Sequence, residues 1–376
     1  LRIPLSIQWV ILLVICWHSE VSAQKEVNNW YFGNRAGITF NPSTVTALTN
    51  GQLNTSEGCA TISNFKGQLL FYTDGISVWD STHSITPNGT GLKGNSSSTQ
   101  SGIIVPNPGN NKQFYIFTVD DVAGSDGLEY SLFDLTLNSG KGDVVSTVKN
   151  VKIADVTCEK ITAVQHANGK DFWVCTHKFS TDTIYSFLVN SSGVVSKPVA
   201  SATKLLLNGS AGNTLGYMKI SPDGTKIAYA NWTFDTTGLG DFDTKTGRVT
   251  NVWSFYNDDA YGIEFSANSK FLYVAEMYKY NIYQYDLKAP NKGLFLLSKT
   301  LVDYRSGAGT IGALQIGPDK KIYICRTSRT SLDVIHAPDS AGSACRVRYD
   351  VVSLSGRPCI YGLPTFIQSY FNPDFN

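Results

Sequence analysis

Charge is scarce in this chain. Only 16% of its 376 residues are charged, and 31 basic against 30 acidic groups leave a formal net charge of +1. So weak a field gives a polyanion nothing to follow, which argues against nucleic acid or an anionic membrane as the partner. Helical patterning is equally scarce: no apolar period of 3.6 residues lasts three turns, which excludes a helical bundle. No CxxC or Cys/His spacing suggests zinc. No serine sits in a nucleophile elbow. The apolar run at the start, Ile7–Trp17, is too short to span a bilayer comfortably. With Arg2 before it and Val21-Ser22-Ala23 after it, it reads as a signal peptide over residues 1–23, leaving residues 24–376 as one domain with no integral membrane span.

What the chain has in quantity is glycine, tyrosine and phenylalanine, 33, 19 and 19 of each. They recur in a pattern. Gly216–Ala230 (GYMKISPDGTKIAYA) is a strand with alternating side chains, a Ser-Pro-Asp-Gly turn and a second strand. Gly262–Ala275 (GIEFSANSKFLYVA) and Gly312–Cys325 (GALQIGPDKKIYIC) repeat it, and Gly362 opens a truncated copy, GLPTFIQSYF. The leading glycines at 216, 262, 312 and 362 are 46, 50 and 50 residues apart. A hairpin at that period, with two weaker strands in each interval, is the signature of a β-propeller blade. Three further blades start at GCATIS, SGIIVP and ITAVQH, with Gly89–Ser98 as a small-residue connection. The segment after Gly362 supplies an inner strand with nothing after it, while Trp30–Phe40 supplies strands with no inner strand before them. Joining residues of about 28–50 and 360–372 in one composite blade removes two exposed sheet edges. The expected fold is therefore all-β: a propeller of seven four-stranded blades, closed by its N- and C-terminal strands.

Long stretches of this chain resemble one particular propeller. NNWYFGNRAGITF, EGCATIS–GQLLFYTDGISVWD, SSSTQSGIIVPNPG, GLEYSLFDLTLNSGKGDV, CEKITAVQHANGKDFWV and GLPTFIQSYF are similar to the N-terminal domain of large secreted surface proteins of the Bacteroidetes phylum. These are associated with gliding motility and type IX secretion. The resemblance covers essentially all of the chain after its leader. It implies a secreted or outer-surface location and downstream immunoglobulin-like or sorting modules that this sequence does not include. It implies no particular chemistry.

Chemistry is therefore sought from topology. Residues entering the inner strands crowd around the central channel, where propellers bind small ligands. Here they include Glu57, Gln100, Glu159, Tyr217, Tyr261 and Glu264. Three carboxylates near one axis suit a cation or a hydroxyl-rich ligand; the alternative is that they hold strand ends together. Asp120, Asp121 and Asp126 share a glycine-containing loop, open to reading as a calcium site or as an Asp-Gly turn. No other cofactor is expected. His166 and His177 bracket one hairpin, as a polar pair or an acid/base pair. Tyr278, Tyr280, Tyr283 and Tyr285 either stack on sugars or pack between blades. Arg326, Arg329, Arg346, Arg348 and Arg357, interleaved with Asp319, Asp333, Asp339 and Asp350, read as a mixed solvated face. Cys175 and Cys325 read as buried free thiols, and Cys345 and Cys359 as candidates for a disulfide. The functional expectation is a recognition or scaffold propeller, the N-terminal module of an adhesin-like protein that binds a surface polysaccharide or protein partner without catalysis. The alternative is a hydrolase or lyase acting on polysaccharide at the channel mouth.

Overall fold

The computed structural model describes residues 25–372, so the leader and its cleavage site lie outside the described residues. Seven antiparallel sheets form a seven-bladed propeller. Blade one is Ala60–Ser63, Leu69–Thr73, Ser77–Asp80 and Ile85–Thr90, in that order from the axis outward. Blades two to six have inner strands Gly102–Pro106, Thr157–Gln165, Met218–Ile220, Ala260–Phe265 and Ile311–Ile316. Blades two and three each split the outer strand in two, Asp143–Val144 with Val151–Ala154 and Gly193–Val194 with Val199–Leu207. The seventh blade is the three-stranded sheet Asn29–Phe32, Ala36–Phe40 and Val45–Ala47, and the C-terminal segment lies against it through Phe366 on Trp30.

Blades pack face to face, so both faces of an inner or second strand are covered. Ile311–Ile316 and Phe271–Glu276 are accordingly buried at every position, whereas the outer strand Val347–Ser353 is mostly exposed. Aromatic rings fill the wedges between blades. Trp30 packs against Phe40, Tyr323 and Phe366, joining blades six and seven to the terminal segment. The repeated turn closes as its residues require: the Gly224 N–H donates to the Ser221 carbonyl, and the Asp223 carboxylate accepts from the Thr225 N–H and hydroxyl and from Ser221 Oγ.

The periodic glycines mark where neighbouring inner strands touch. A Cβ on Gly312 would collide with the Tyr361 carbonyl oxygen, and one on Gly362 with that of Glu57. Through these close approaches, backbone hydrogen bonds run from blade to blade: Gln100 N–H to Glu159 O (3.1 Å), Tyr217 N–H to Tyr261 O (2.9 Å), Ala313 N–H to Tyr361 O (2.7 Å) and Tyr361 N–H to Ser56 O (2.9 Å). They form a girdle around the channel mouth, the face where the inner strands begin.

The C-terminal segment closes the ring. Asn34 N–H donates to Pro358 O at 3.1 Å and Thr365 N–H to Cys59 O at 2.8 Å, tying it to blades seven and one. It then runs along the axis, parallel to the inner strands. Ile367 makes a parallel bridge to Ala163 of blade three, and Ser369 Oγ accepts from the Gln165 N–H. Every residue from Gly362 to Phe371 is buried. The segment thus fills the channel from the mouth to the far face.

Candidate ligand-binding site at the channel mouth

The six residues expected at the channel mouth are all buried, but they fall into separate clusters. Glu57 precedes the inner strand of blade one. Its Oε2 accepts from Tyr261 Oη of blade five across the axis, at 2.8 Å. Burial and, next, the nearby Glu159 carboxylate raise the Glu57 pKa to about 8, because both disfavour the charged form. Glu159, on the blade-three inner strand, accepts four hydrogen bonds: from the Thr99 N–H (2.9 Å) and hydroxyl (3.1 Å), the Val122 N–H (2.6 Å) and the Thr214 hydroxyl (3.2 Å). Desolvation still raises its pKa. Gln100 is consumed as a clamp, its Oε1 accepting from the Met218 N–H (2.7 Å) and its Nε2 donating to Met218 O (3.3 Å). Tyr217 stacks edge-on against Tyr261.

Glu264 does not join Glu57 and Glu159. It lies deeper along the blade-five inner strand and forms a fully buried ion pair with Lys219 of blade four at 3.1 Å. The Ile316 and Phe265 N–H groups complete its shell, and Lys219 also donates to Gln315. Desolvation raises the Glu264 pKa and lowers that of Lys219. Lys160, adjacent to Glu159, points to the opposite side of its strand, as strand alternation requires. Its Nζ donates to Ala230 O (2.7 Å), Leu215 O (3.3 Å) and Asn231 Oδ1 (3.2 Å) between blades three and four, and burial lowers its pKa to about 8.

Several sequence expectations are corrected. The Asp120–Asp126 loop does not converge on one point: Asp120 accepts from the Asp121 and Asp126 N–H groups, while Asp126 pairs with Lys93 at 3.1 Å. Among the described residues, the acids whose oxygens do converge, within 4.8 Å, are Asp235, Asp258 and Asp259, on the loops around the start of blade five. Asp258 is paired with Lys279 at 3.1 Å, and Asp235 accepts from the Asp259 N–H at 2.9 Å. His166 and His177 sit at opposite ends of their hairpin. His177 is fully buried, and desolvation holds it neutral with a pKa lowered to about 3. Arg326 is not on a solvated face: it is buried between Asp303 and Asp333 (Nε to Oδ2, 2.7 Å), with Arg305, Arg329 and Asp350 extending the network outward. Cys345 and Cys359 are not partners. The strand Val347–Ser353 runs between them, a span of roughly 20 Å at the usual rise, and Cys345 sits against Tyr273 instead.

The tyrosine series divides. Tyr285 is buried and accepts from Asn257 Nδ2 at 2.7 Å, and Tyr283 lies under Lys299 Nζ at 3.9 Å. Tyr278 is 43% exposed and packs against Trp232, with ring centroids 5.8 Å apart. Around them, Phe234 and Tyr256 are also exposed, beside Asp235, Asp258 and Lys279. The rim over blades four and five is therefore aromatic and polar together, a combination the sequence hid because its members come from three loops. Two cavities lie elsewhere. One of about 390 Å³ on the far face involves Glu26, Phe65, Phe114 and Tyr370; one of about 180 Å³ between blades four and five involves Asp241, Asn251 and Trp253.

No protein-family profile and no curated protein matches this chain. Solved structures do resemble it. A putative 6-phosphogluconolactonase from Bacteroides fragilis aligns over 89% of this chain and 96% of its own, with a TM-score of 0.52 and 12% identity. The periplasmic gluconolactonase of Pseudomonas aeruginosa aligns over 85% and 81%, with a TM-score of 0.44 and 12% identity. Streptogramin B lyase aligns over 86% and 87%, with a TM-score of 0.46 and 11% identity. At 12% identity the first of these likenesses speaks to fold alone.

Proposed function

We propose that this chain is an exported cell-surface propeller that recognises a polysaccharide or protein partner without catalysis. The observation that carries this reading is the contrast between the sealed axis and the open rim. The inner carboxylates are taken up by backbone donors, a lysine or a tyrosine, and the terminal segment fills the channel. The rim, in contrast, offers Trp232, Phe234, Tyr256 and Tyr278 beside carboxylates and Lys279. Flat aromatic faces next to hydrogen-bonding acids suit the alternating apolar and hydroxyl faces of sugar rings.

The second reading, a hydrolase or lyase at the mouth, is favoured by one observation. Glu57 keeps its proton near neutral pH, as a general acid must. A glycan array, with a panel of lactone and polysaccharide substrates assayed beside it, separates the two. The recognition reading expects glycan binding that survives Glu57→Gln, is lost in Trp232→Ala/Tyr278→Ala, and occurs without turnover. Turnover that disappears in Glu57→Gln would replace it with the enzymatic reading.

A further inference from the structure

Cys325 is the penultimate residue of the second strand of blade six, Ile322–Arg326, and Cys359 lies where the closing segment leaves that blade. The backbones at the two positions are tied together: the Ser328 N–H donates to Cys359 O at 3.0 Å and the Cys359 N–H to Arg329 O at 2.9 Å. The thiols cross over the same gap. Cys325 Sγ donates to Ile360 O at 3.2 Å, and Cys359 Sγ donates to Arg326 O at 2.8 Å. Each thiol therefore bonds the carbonyl of the residue that follows the other cysteine, which sets the two sulfurs side by side. Both side chains are fully buried.

We infer that Cys325 and Cys359 form a disulfide that staples the closing segment to blade six. The chemistry is thiol–disulfide exchange with a disulfide oxidant of the oxidised-glutathione class. The Cys359 thiolate attacks one sulfur of the oxidant and expels the other as a thiolate, giving a mixed disulfide on Cys359. Cys325 then loses its proton to solvent, attacks the Cys359 sulfur and displaces the second thiol. Two protein thiols are oxidised and one oxidant disulfide is reduced to two thiols. Cys359 is suited to be the attacking group because it lies on the segment that docks last and so meets the oxidant in solvent. In the closed ring no oxidant reaches either sulfur, so the bond forms while the last segment docks, and afterwards it is shielded from reductant. Cys59 stands near Cys325 on the blade-one side and is the competing partner.

The test refolds the chain from denaturant in a buffer of oxidised and reduced glutathione, alkylates it without reduction and maps the cross-linked peptides by mass spectrometry. The expected result is a 325–359 cross-link that persists in Cys59→Ser and Cys345→Ser and is lost in Cys325→Ser and Cys359→Ser. The oxidised protein should melt about 5 °C above the reduced one, since a loop of roughly 35 residues is closed. Hydrogen exchange of the reduced wild-type chain, which needs no substitution, should be faster over Gly362–Phe371 than in the oxidised chain. Full alkylation of the six cysteines that follow residue 24 in the refolded, oxidant-treated protein would overturn the inference. So would a cross-link joining Cys59 to Cys325.

Discussion

Glu57→Gln should change how stability depends on pH more than it changes stability itself. The amide keeps an oxygen to accept from Tyr261 Oη, so the 2.8 Å bond across the axis has a neutral substitute. What it removes is an ionisation. The folded chain holds the Glu57 proton up to about pH 8, whereas the unfolded chain releases it near 4.5. Between those values the folded state binds more protons. The stability that this carboxyl contributes is therefore fully present below the unfolded pKa and is lost as pH rises through the folded one. Counted from below pH 4.5, the loss is about 2 kcal/mol at pH 6 and approaches about 5 kcal/mol by pH 9, where the buried group is mostly ionised. Lys160 works the other way. Its pKa is lowered to about 8 by burial, so the unfolded state binds more protons above that value and stability rises there with pH. Comparing the variant with its parent cancels the lysine. Urea unfolding of both proteins should show them alike near pH 4, the variant ahead by about 2 kcal/mol near pH 6 and by about 5 kcal/mol near pH 9. Parallel pH profiles would refute the reasoning and mean that Glu57 is already ionised in the folded state.

Removing the chain from Gly362 onward deletes five large buried side chains, Leu363, Phe366, Ile367, Tyr370 and Phe371. At about 2 kcal/mol each, that is about 10 kcal/mol, comparable to the whole stability of a domain. The truncated protein should aggregate or lose its cooperative transition, and a monomer with an unchanged melting temperature would contradict the closure described above. Gly362→Ala places a methyl group against the Glu57 carbonyl and should lower the melting temperature, and an unchanged melting temperature would contradict that close approach. Lys219→Met strands a buried carboxylate and should cost about 3–5 kcal/mol. The double variant Lys219→Met/Glu264→Leu should recover most of it, and a double-variant loss equal to the sum of the losses in Lys219→Met and Glu264→Leu, measured in a denaturation series, would show that the pair is not coupled.

The fold was legible in the sequence because its unit repeats. One hairpin read three times carries its own check, and glycine at the head of each copy reports a backbone contact that only glycine permits. The individual sites were less legible. Alternation along a strand places Glu159 and Lys160 on opposite sides, but it cannot say that Lys160 meets three oxygens of the next blade. Arg326 and Asp333 looked like neighbours on a solvated face. What buries them is Asp303, which lies in blade five and only the ring brings near. The three acids that converge come from two loops joined by blade packing, whereas the three that lie close in sequence point to different partners. Contacts within a blade follow from local pattern; contacts between blades depend on a geometry that no local window contains.

The closure has a mechanical side. Glu26 and Tyr370 border the same far-face cavity, so the two ends of the described chain emerge side by side, and Trp30 lies against Phe366 above them. A tug between those ends bypasses all six complete blades. It peels the terminal segment from the far face toward the mouth, loading its contacts one after another instead of together. In a pulling experiment the first release should therefore be short, about the length of Gly362–Phe371, and a 325–359 staple would halt it near Cys359. The ring then behaves as a clasp with a stop: it gives at one seam, by a fixed length, before any blade bears load.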